Sequence, residues 1–528
     1  MMRKIRMKNF RSFKDTGFIE LSPLTVFVGK NGVGKSSLLR FFPLIQQTLS
    51  TSTNEPILWY SKNSVDFGGF QQSIYRHSEM SEKKNKISFE FIFDTQLRED
   101  RIFQFGWILN WESYMERSGY RDERKAKKEF RVELEIGKKV ISQSRVCWDE
   151  NELLIKLDGD KYNLYLDNEQ LDFGEKMYIK KIKDTGFIPY LGIEGATDNE
   201  SISESIELIA IINLVNLVKK KSDKRIKTQY LSDFFREVNF NTREVTLSSL
   251  KEEASKSGRT TLKRYFDSMK LGSEEYDRIY KLLVMMYLPS IIETVNDYIK
   301  SYFDNINYIA PLRANAERYY RTQGLAIKKI DSMGTNVPMF LYHLTQQEKR
   351  YKEWQNWTKD KFGFQFEVES SEGHVSMSVV DGDFRINLAD TGFGYSQILP
   401  IILLLWQVMT SRSAYNKNEI ISLVIEQPEL HLHPSMQSKL LDAFVTLVNL
   451  FKKKQIEVKF ILETHSETII NRIGYQIETN ELFEAGDVNI NIVDFKDNLK
   501  TAEVTSVKFN ENGILEKWPI GFFDGGEE

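Results

Sequence analysis

The sequence predicts an α/β fold, with a mainly parallel core sheet, an antiparallel β-subdomain and a helical insertion. Three observations predict it. A glycine-rich stretch, "GKNGVGKS", sits between a short apolar run and a helical pattern near the N-terminus. Two apolar runs far downstream, "ISLVI" and "KFIL", end in acidic or polar residues and lead into helices, as parallel strands alternating with helices do. Between these parts the periodicity changes twice, first to two and then to spacings of three and four.

The elements follow in order. The first 50 or so of the 528 residues read strand, turn, strand, loop, helix. From Ile87 to about Asn168, "ISFEFIFD", "FRVELEI", "VISQSRVCW", "ELLIKL" and "YNLYLD" alternate apolar and polar residues, the mark of an antiparallel meander with one wet face. "ERSGYRDERKAKKEF" interrupts them as a charged, exposed excursion. From about 200 to 305, "SIELIAIINLVNLVKKK", "QYLSDFFREV" and "RIYKLLVMMYLPSIIETVNDYIKSYF" are helical by spacing. "SSLKEEASKSGRTTLKRYF" reads there as a polar, mobile connection. Beyond Tyr308 the α/β pattern returns. The expected segments are 1–95, 96–195, 196–304 and 305–528, about three domains' worth of chain.

Composition excludes several classes. Hydrophobic residues are 41%, charged residues 28% and the formal net charge −3, so no bulk basic field gathers nucleic acid. The basic runs Arg124–Lys128, Lys219–Lys221 and Lys452–Lys454 read as solvated faces. The single cysteine, Cys147, permits no internal disulfide and fits a cytoplasmic setting. "IELIAIINLVNLV" is too short and too often interrupted to span a bilayer, which needs about 20 apolar residues. No membrane partner is expected.

Gly29, Lys30, Asn31, Gly32, Val33, Gly34, Lys35 and Ser36 fit G-x-x-x-x-G-K-[ST], with Ser37 next in the helix. Glycines permit close approach of the backbone, loop N–H groups cradle phosphates, the lysine reaches the β- and γ-phosphates and the serine hydroxyl meets Mg²⁺. The helix adds its positive end. ATP and Mg²⁺ are the expected ligands.

In "ISLVIEQPELHLHP" a buried strand delivers Glu426 to its carboxyl end, where open α/β sheets bind ligands and where a carboxylate can hold Mg²⁺. Glu429 reads either as a displaced base or as a helix-start acid. In "ILETHSE" a second strand presents His465, an imidazole able to meet a γ-phosphate or a water. His431 and His433 have no third spaced ligand for zinc and read as packing residues. "DTGFGYSQILP", with Gly392, Gly394, Ser396 and Gln397, precedes a helix and is either an anion site or a plain helix start. Arg313 in "APLR" reads either as a phosphate-reaching or as a packing residue.

In this order the pieces resemble the ABC-type ATPase heads of the structural-maintenance, recombination-mediator and overcoming-lysogenization nuclease group. "VGKNGVGKSSLL", "IAPLR", "DTGFGYSQILP", "IEQPELHLHP", "THSE" and "WPIGFFDGGEE" resemble more closely the AAA-type ATPases of bacterial anti-phage systems, such as the ATPase subunit of Septu, alone or attached to a retron. The resemblance covers about residues 1–95 and 305–528. It implies that Lys35 and Ser36 meet phosphate and Mg²⁺, that Glu426 is the Walker B acid, and that His465 is the switch histidine. Gly392, Gly394, Tyr395, Ser396 and Gln397 would form the signature loop that caps the γ-phosphate of a second subunit. Gln71 or Gln72 would sense the metal and complete the site, with Gln72 as the expected metal residue.

One departure stands out. The family places a second carboxylate where this chain has Gln427. An amide orients water but takes no proton, and losing a positioned base costs about 10²–10⁴ in rate. The resemblance therefore implies a slow ATPase in an ATP-sandwiched dimer or larger oligomer. Its partners would be copies of itself and a separate effector nuclease, possibly of HNH type, with DNA or retron nucleic acid as a further candidate. About 60 residues follow His465, too few for an ordinary independent domain, so cleavage by this chain is not expected. A clamp binding DNA directly and a scaffold without meaningful hydrolysis are the competing readings.

Overall fold

The computed structural model describes residues 1–75, 86–97, 127–171, 177–183, 186–196, 201–324, 327, 329–410, 420–496 and 501–516. The chain forms two compact units, one of residues 1–87 with 301–528 and one of residues 88–300. The segments read from the sequence as 96–195 and 196–304 fall in the second unit, apart from residues 301–304. Most of the charged excursion "ERSGYRDERKAKKEF" and the ending "WPIGFFDGGEE" lie outside the described residues.

The first unit is built on a six-stranded sheet. Its strands are β1 (Leu24–Gly29), β2 (Ile306–Ile309), β3 (Ile420–Glu426), β4 (Glu457–Glu463), β5 (Val488–Lys496) and β6 (Thr501–Val507). Their spatial order is β2-β3-β4-β1-β5-β6. All neighbours are parallel except the antiparallel pair β5–β6. Strands β1, β3 and β4 are almost wholly buried, and their near-continuous apolar runs are what a sheet covered on both faces requires.

Helix α1 (Lys35–Ser50) follows β1, α2 (Phe393–Thr410) precedes β3, α3 (Pro434–Lys454) joins β3 to β4, and α4 (Glu467–Thr479) follows β4. The core joins Leu423, Ile425, Phe460 and Leu462 of the sheet to Ile398, Leu405, Phe444 and Ile473 of the helices. Helix α2 is long and apolar enough to cross a membrane, but it is mostly buried within the protein. A smaller antiparallel sheet contains Gln365–Ser371, His374–Asp381 and Phe384–Asn387. Near the N-terminus, Met2–Phe10 pairs antiparallel with Phe13–Asp15 and Ile19–Glu20.

The second unit carries the expected meander. Lys128–Ile136, Ile141–Trp148, Asn151–Asp158 and Lys161–Leu166 pair in sequence order. Three further strands, Met177–Lys183, Tyr190–Ala196 and Ser201–Glu204, extend it. Helices follow, and Phe93 stacks on Tyr298 at 4.2 Å while the Asn296 side chain bonds both main-chain groups of Ile188.

One expectation is corrected here. The stretch read as a mobile polar connection forms the helices Arg243–Lys256 and Thr260–Asp267. Thr242 caps the first by accepting from the Val245 N–H. Leu247, Leu250, Ala254, Leu262 and Phe266 are buried along them. These apolar residues are sparse, but their spacing holds one face inward.

Candidate nucleotide-binding site

Parallel strands bring the carboxyl ends of β1, β3 and β4 to one edge of the first unit. Register pairs Glu426 with Glu463, and Glu463 with Phe27, two residues before Gly29. The strand order thus sets β4 between the loop-bearing β1 and β3.

From Gly29 the chain turns through the loop into α1. Gly29 and Gly34 have φ of 155° and 116°, and a Cβ would meet the Val493 carbonyl oxygen at 2.1 Å and the Phe13 ring at 2.9 Å respectively. Lys30, Asn31 and Gly32 are exposed, whereas Val33 is buried. No side chain caps α1, and no acid stands in its first turn, so its positive end is left for an anion. Lys35 is buried, and its Nζ donates to the carbonyls of Gly29 at 2.9 Å and Lys30 at 2.8 Å. Burial lowers its pKa, opposed by the charges of Glu463 and Glu429.

The Ser36 hydroxyl donates to Glu463, at 2.8 Å to Oε2 and 3.1 Å to Oε1. Glu426 is engaged elsewhere. Arg40 holds it with two parallel bonds of 2.9 Å, and the Tyr308 hydroxyl donates to it at 2.6 Å. Both carboxylates are buried. Burial, then the neighbouring Glu426 charge, pushes the Glu463 carboxyl up to about 7. A serine hydroxyl beside two buried carboxylates is an all-oxygen set suited to Mg²⁺, and Lys35 and Arg40 balance the charges of Glu463 and Glu426. Ser36, Glu463 and Glu426 fit the metal that a nucleotide brings. Among the described residues no cluster of three or more His, Cys, Asp and Glu could hold a metal without it.

Gln427 directly follows the strand. Its φ is 44°, and its N–H donates to the Glu463 carbonyl at 2.8 Å. Its side-chain amide makes no hydrogen bond with the described residues. Glu429 accepts from the His465 N–H at 2.7 Å, and burial raises its pKa. Glu429 therefore ties the β3 turn to the β4 turn. His465 is exposed; partial desolvation and the Lys35 charge lower its pKa.

The Gly392–Gln397 stretch begins α2. Gly392 and Phe393 are exposed, but Ser396 and Gln397 are buried. Ser396 donates to the Phe393 carbonyl at 2.9 Å, and Tyr395 packs edge-on against Phe364 at 4.9 Å. A Cβ on Gly394 would meet the His431 carbonyl oxygen at 2.9 Å. His433 caps α3. Gln71 and Gln72 are exposed on the short helix Phe70–Ser73, with the Gln72 side chain folded over Gly68 and Gly69.

Sequence reasoning passed over three residues here and left a fourth open. Glu463 had a signal, since "IISLVIE" and "EVKFILE" end alike. Arg40 stands four residues after Ser36, on the same helix face. Tyr308 had no local signal. Arg313, left open, is buried, and its Nη2 donates to the carbonyls of Glu426 at 2.8 Å and Gln427 at 3.2 Å.

The model of the family described as AAA ATPase domain matches residues 1–470. No curated protein matches. Among solved structures, the SMC head domain from Thermotoga maritima is similar at 10% identity and a TM-score of 0.31, over 96% of this chain and 98% of that one. The recombination mediator protein RecF with ATPrS is similar at 10% identity and a TM-score of 0.28, over the same shares. With its phosphate loop inside a family match of that extent, the chain belongs to the AAA ATPase domain family.

Proposed function

We propose that the chain is a slow ABC-type ATPase that binds Mg²⁺-ATP, closes into an ATP-sandwiched dimer or larger oligomer, and controls a separate effector. Lys35 and the start of α1 bind the β- and γ-phosphates. Ser36, Glu463 and Glu426 would hold Mg²⁺, which neutralises phosphate charge when bound. His465 would meet the γ-phosphate or the attacking water.

The observation that carries the slow rate is Gln427. Its amide is free at the strand end, and it can orient water without taking its proton. A long-lived ATP state suits a sensor or clamp. The resemblance in the sequence favours an anti-phage nuclease as the effector, and the expected setting is cytoplasmic. Light scattering with and without Mg²⁺-ATP, together with phosphate release, tests the reading. ATP-dependent assembly with slow release supports it; a monomer in both states contradicts it.

A further inference from the structure

Arg313 occupies an expensive position. It is buried, and burial holds its pKa down to about 10. Its Nε and Nη1 are buried and bonded to no protein atom, and so is Oε2 of Glu429, the largest opposing charge on it. A buried guanidinium with unmet donors costs stability, and an apolar side chain of similar volume would avoid that cost.

What Arg313 does make is specific. Its Nη2 bridges the carbonyls of Glu426 and Gln427, the two residues at the end of β3. Its own main chain is gripped by Gln397: the Arg313 N–H donates to Gln397 Oε1 at 3.4 Å, and Gln397 Nε2 donates to the Arg313 carbonyl at 3.3 Å. Gln397 sits in the first turn and a half of α2, after the exposed Gly392 and Phe393. Gln427 needs such support because its left-handed φ is strained for a residue with a Cβ.

We propose that Arg313 is a positioning residue that joins the start of α2 to the end of β3, so that movement of that helix moves Gln427 and Glu426 relative to ATP. The inference rests on the proposed function, since it assigns hydrolysis to that strand end. It makes the opening of α2 an input to the chain's own site. In the ATP-sandwiched dimer of the proposed function, the second copy of the chain that docks on Gly392 and Phe393 acts through Gln397 and Arg313 on Glu426 and Gln427.

The test compares Arg313→Met, Arg313→Lys, Gln397→Leu and the double variant Arg313→Met/Gln397→Leu by equilibrium Mg²⁺-ATP binding, steady-state phosphate release and thermal melting. ATP affinity is expected to stay near that of the unmodified chain. Turnover should fall about 10²-fold, as for reacting groups displaced by about 1 Å. The double variant should be no worse than Arg313→Met alone, because both break one connection. Should Arg313→Met melt early, Arg313→Lys and Gln397→Leu carry the same comparison. Unchanged turnover in folded variants, losses that multiply, or losses that match weakened ATP binding overturn the inference alone. An unmodified chain that binds ATP without turning it over overturns both the inference and the proposed function.

Discussion

The Ser36 hydroxyl donates to the Glu463 carboxylate at 2.8 Å, although the two residues are 427 positions apart in the chain. Sheet order causes it. Glu463 ends the strand next to β1, while Glu426 ends the strand beyond, and neighbouring strands lie about 4.8 Å apart. Lys35 Nζ stands 3.9 Å from the same carboxylate. Lysine, serine and acid thus meet at one point.

Lys35→Ala should abolish measurable ATP binding. Two charge-assisted bonds to phosphate, at about 1.5–3 kcal/mol each, amount to roughly 10²-fold in affinity or more. Equilibrium titration with a fluorescent ATP analogue reads it. Unchanged affinity would remove the phosphate-loop assignment.

Glu463→Gln should stabilise the nucleotide-free protein at high pH. The carboxyl's folded pKa of about 7 lies above its ordinary 4.5. The folded state therefore binds this proton more tightly than the unfolded state. That contribution is complete below pH 4.5 and is lost as pH rises through 7. The variant should gain on the order of 3 kcal/mol over the unmodified chain at pH 8 relative to pH 4. Melting curves in a chelator show it, and equal pH slopes would contradict it. Mg²⁺ should reverse the order, because the variant has lost a ligand.

Gly392→Glu should leave ATP binding to a monomer intact and block assembly. Gly392 is exposed, and a Cβ there meets nothing within 4 Å. Gly394→Glu and Ser396→Arg are poorer probes. The first would press on the His431 carbonyl, and the second would bury a charge. Light scattering with ATP decides the point. Assembly that survives Gly392→Glu places the contact on another surface.

Glu429→Gln should keep most of the turnover. Its Oε1 accepts from the His465 N–H, and a glutamine oxygen can do the same. A loss of about 10²-fold or more, the size expected for a general base, with ATP binding intact, would instead make Glu429 the base.

Much of this site is legible because its signals are local. The phosphate loop, the strand before it and the helix after it lie within 30 residues or so of sequence. The runs ending at Glu426 and Glu463 declare buried strands by composition. Their pairing does not show, because strand order is set by contacts between segments that the chain visits out of sequence. That is why Glu426 is the expected neighbour of Ser36 and Glu463 the observed one. The α2 start fails to declare itself for another reason. Gly392 and Phe393 face out while Ser396 and Gln397 face in, and a glycine-rich helix start has no periodicity to separate them. Arg313 is equally silent, since its partners are main-chain carbonyls that any sequence supplies.

Steady-state phosphate release at saturating Mg²⁺-ATP, for the unmodified chain and for Gln427→Glu, tests the central claim most directly. A carboxylate at the end of β3 could accept the proton that the amide cannot. The unmodified chain should turn over at less than about 1 s⁻¹, below the range of typical enzymes, and Gln427→Glu should be faster. Turnover of several per second by the unmodified chain, or a Gln427→Glu variant that binds ATP and is no faster, would contradict it.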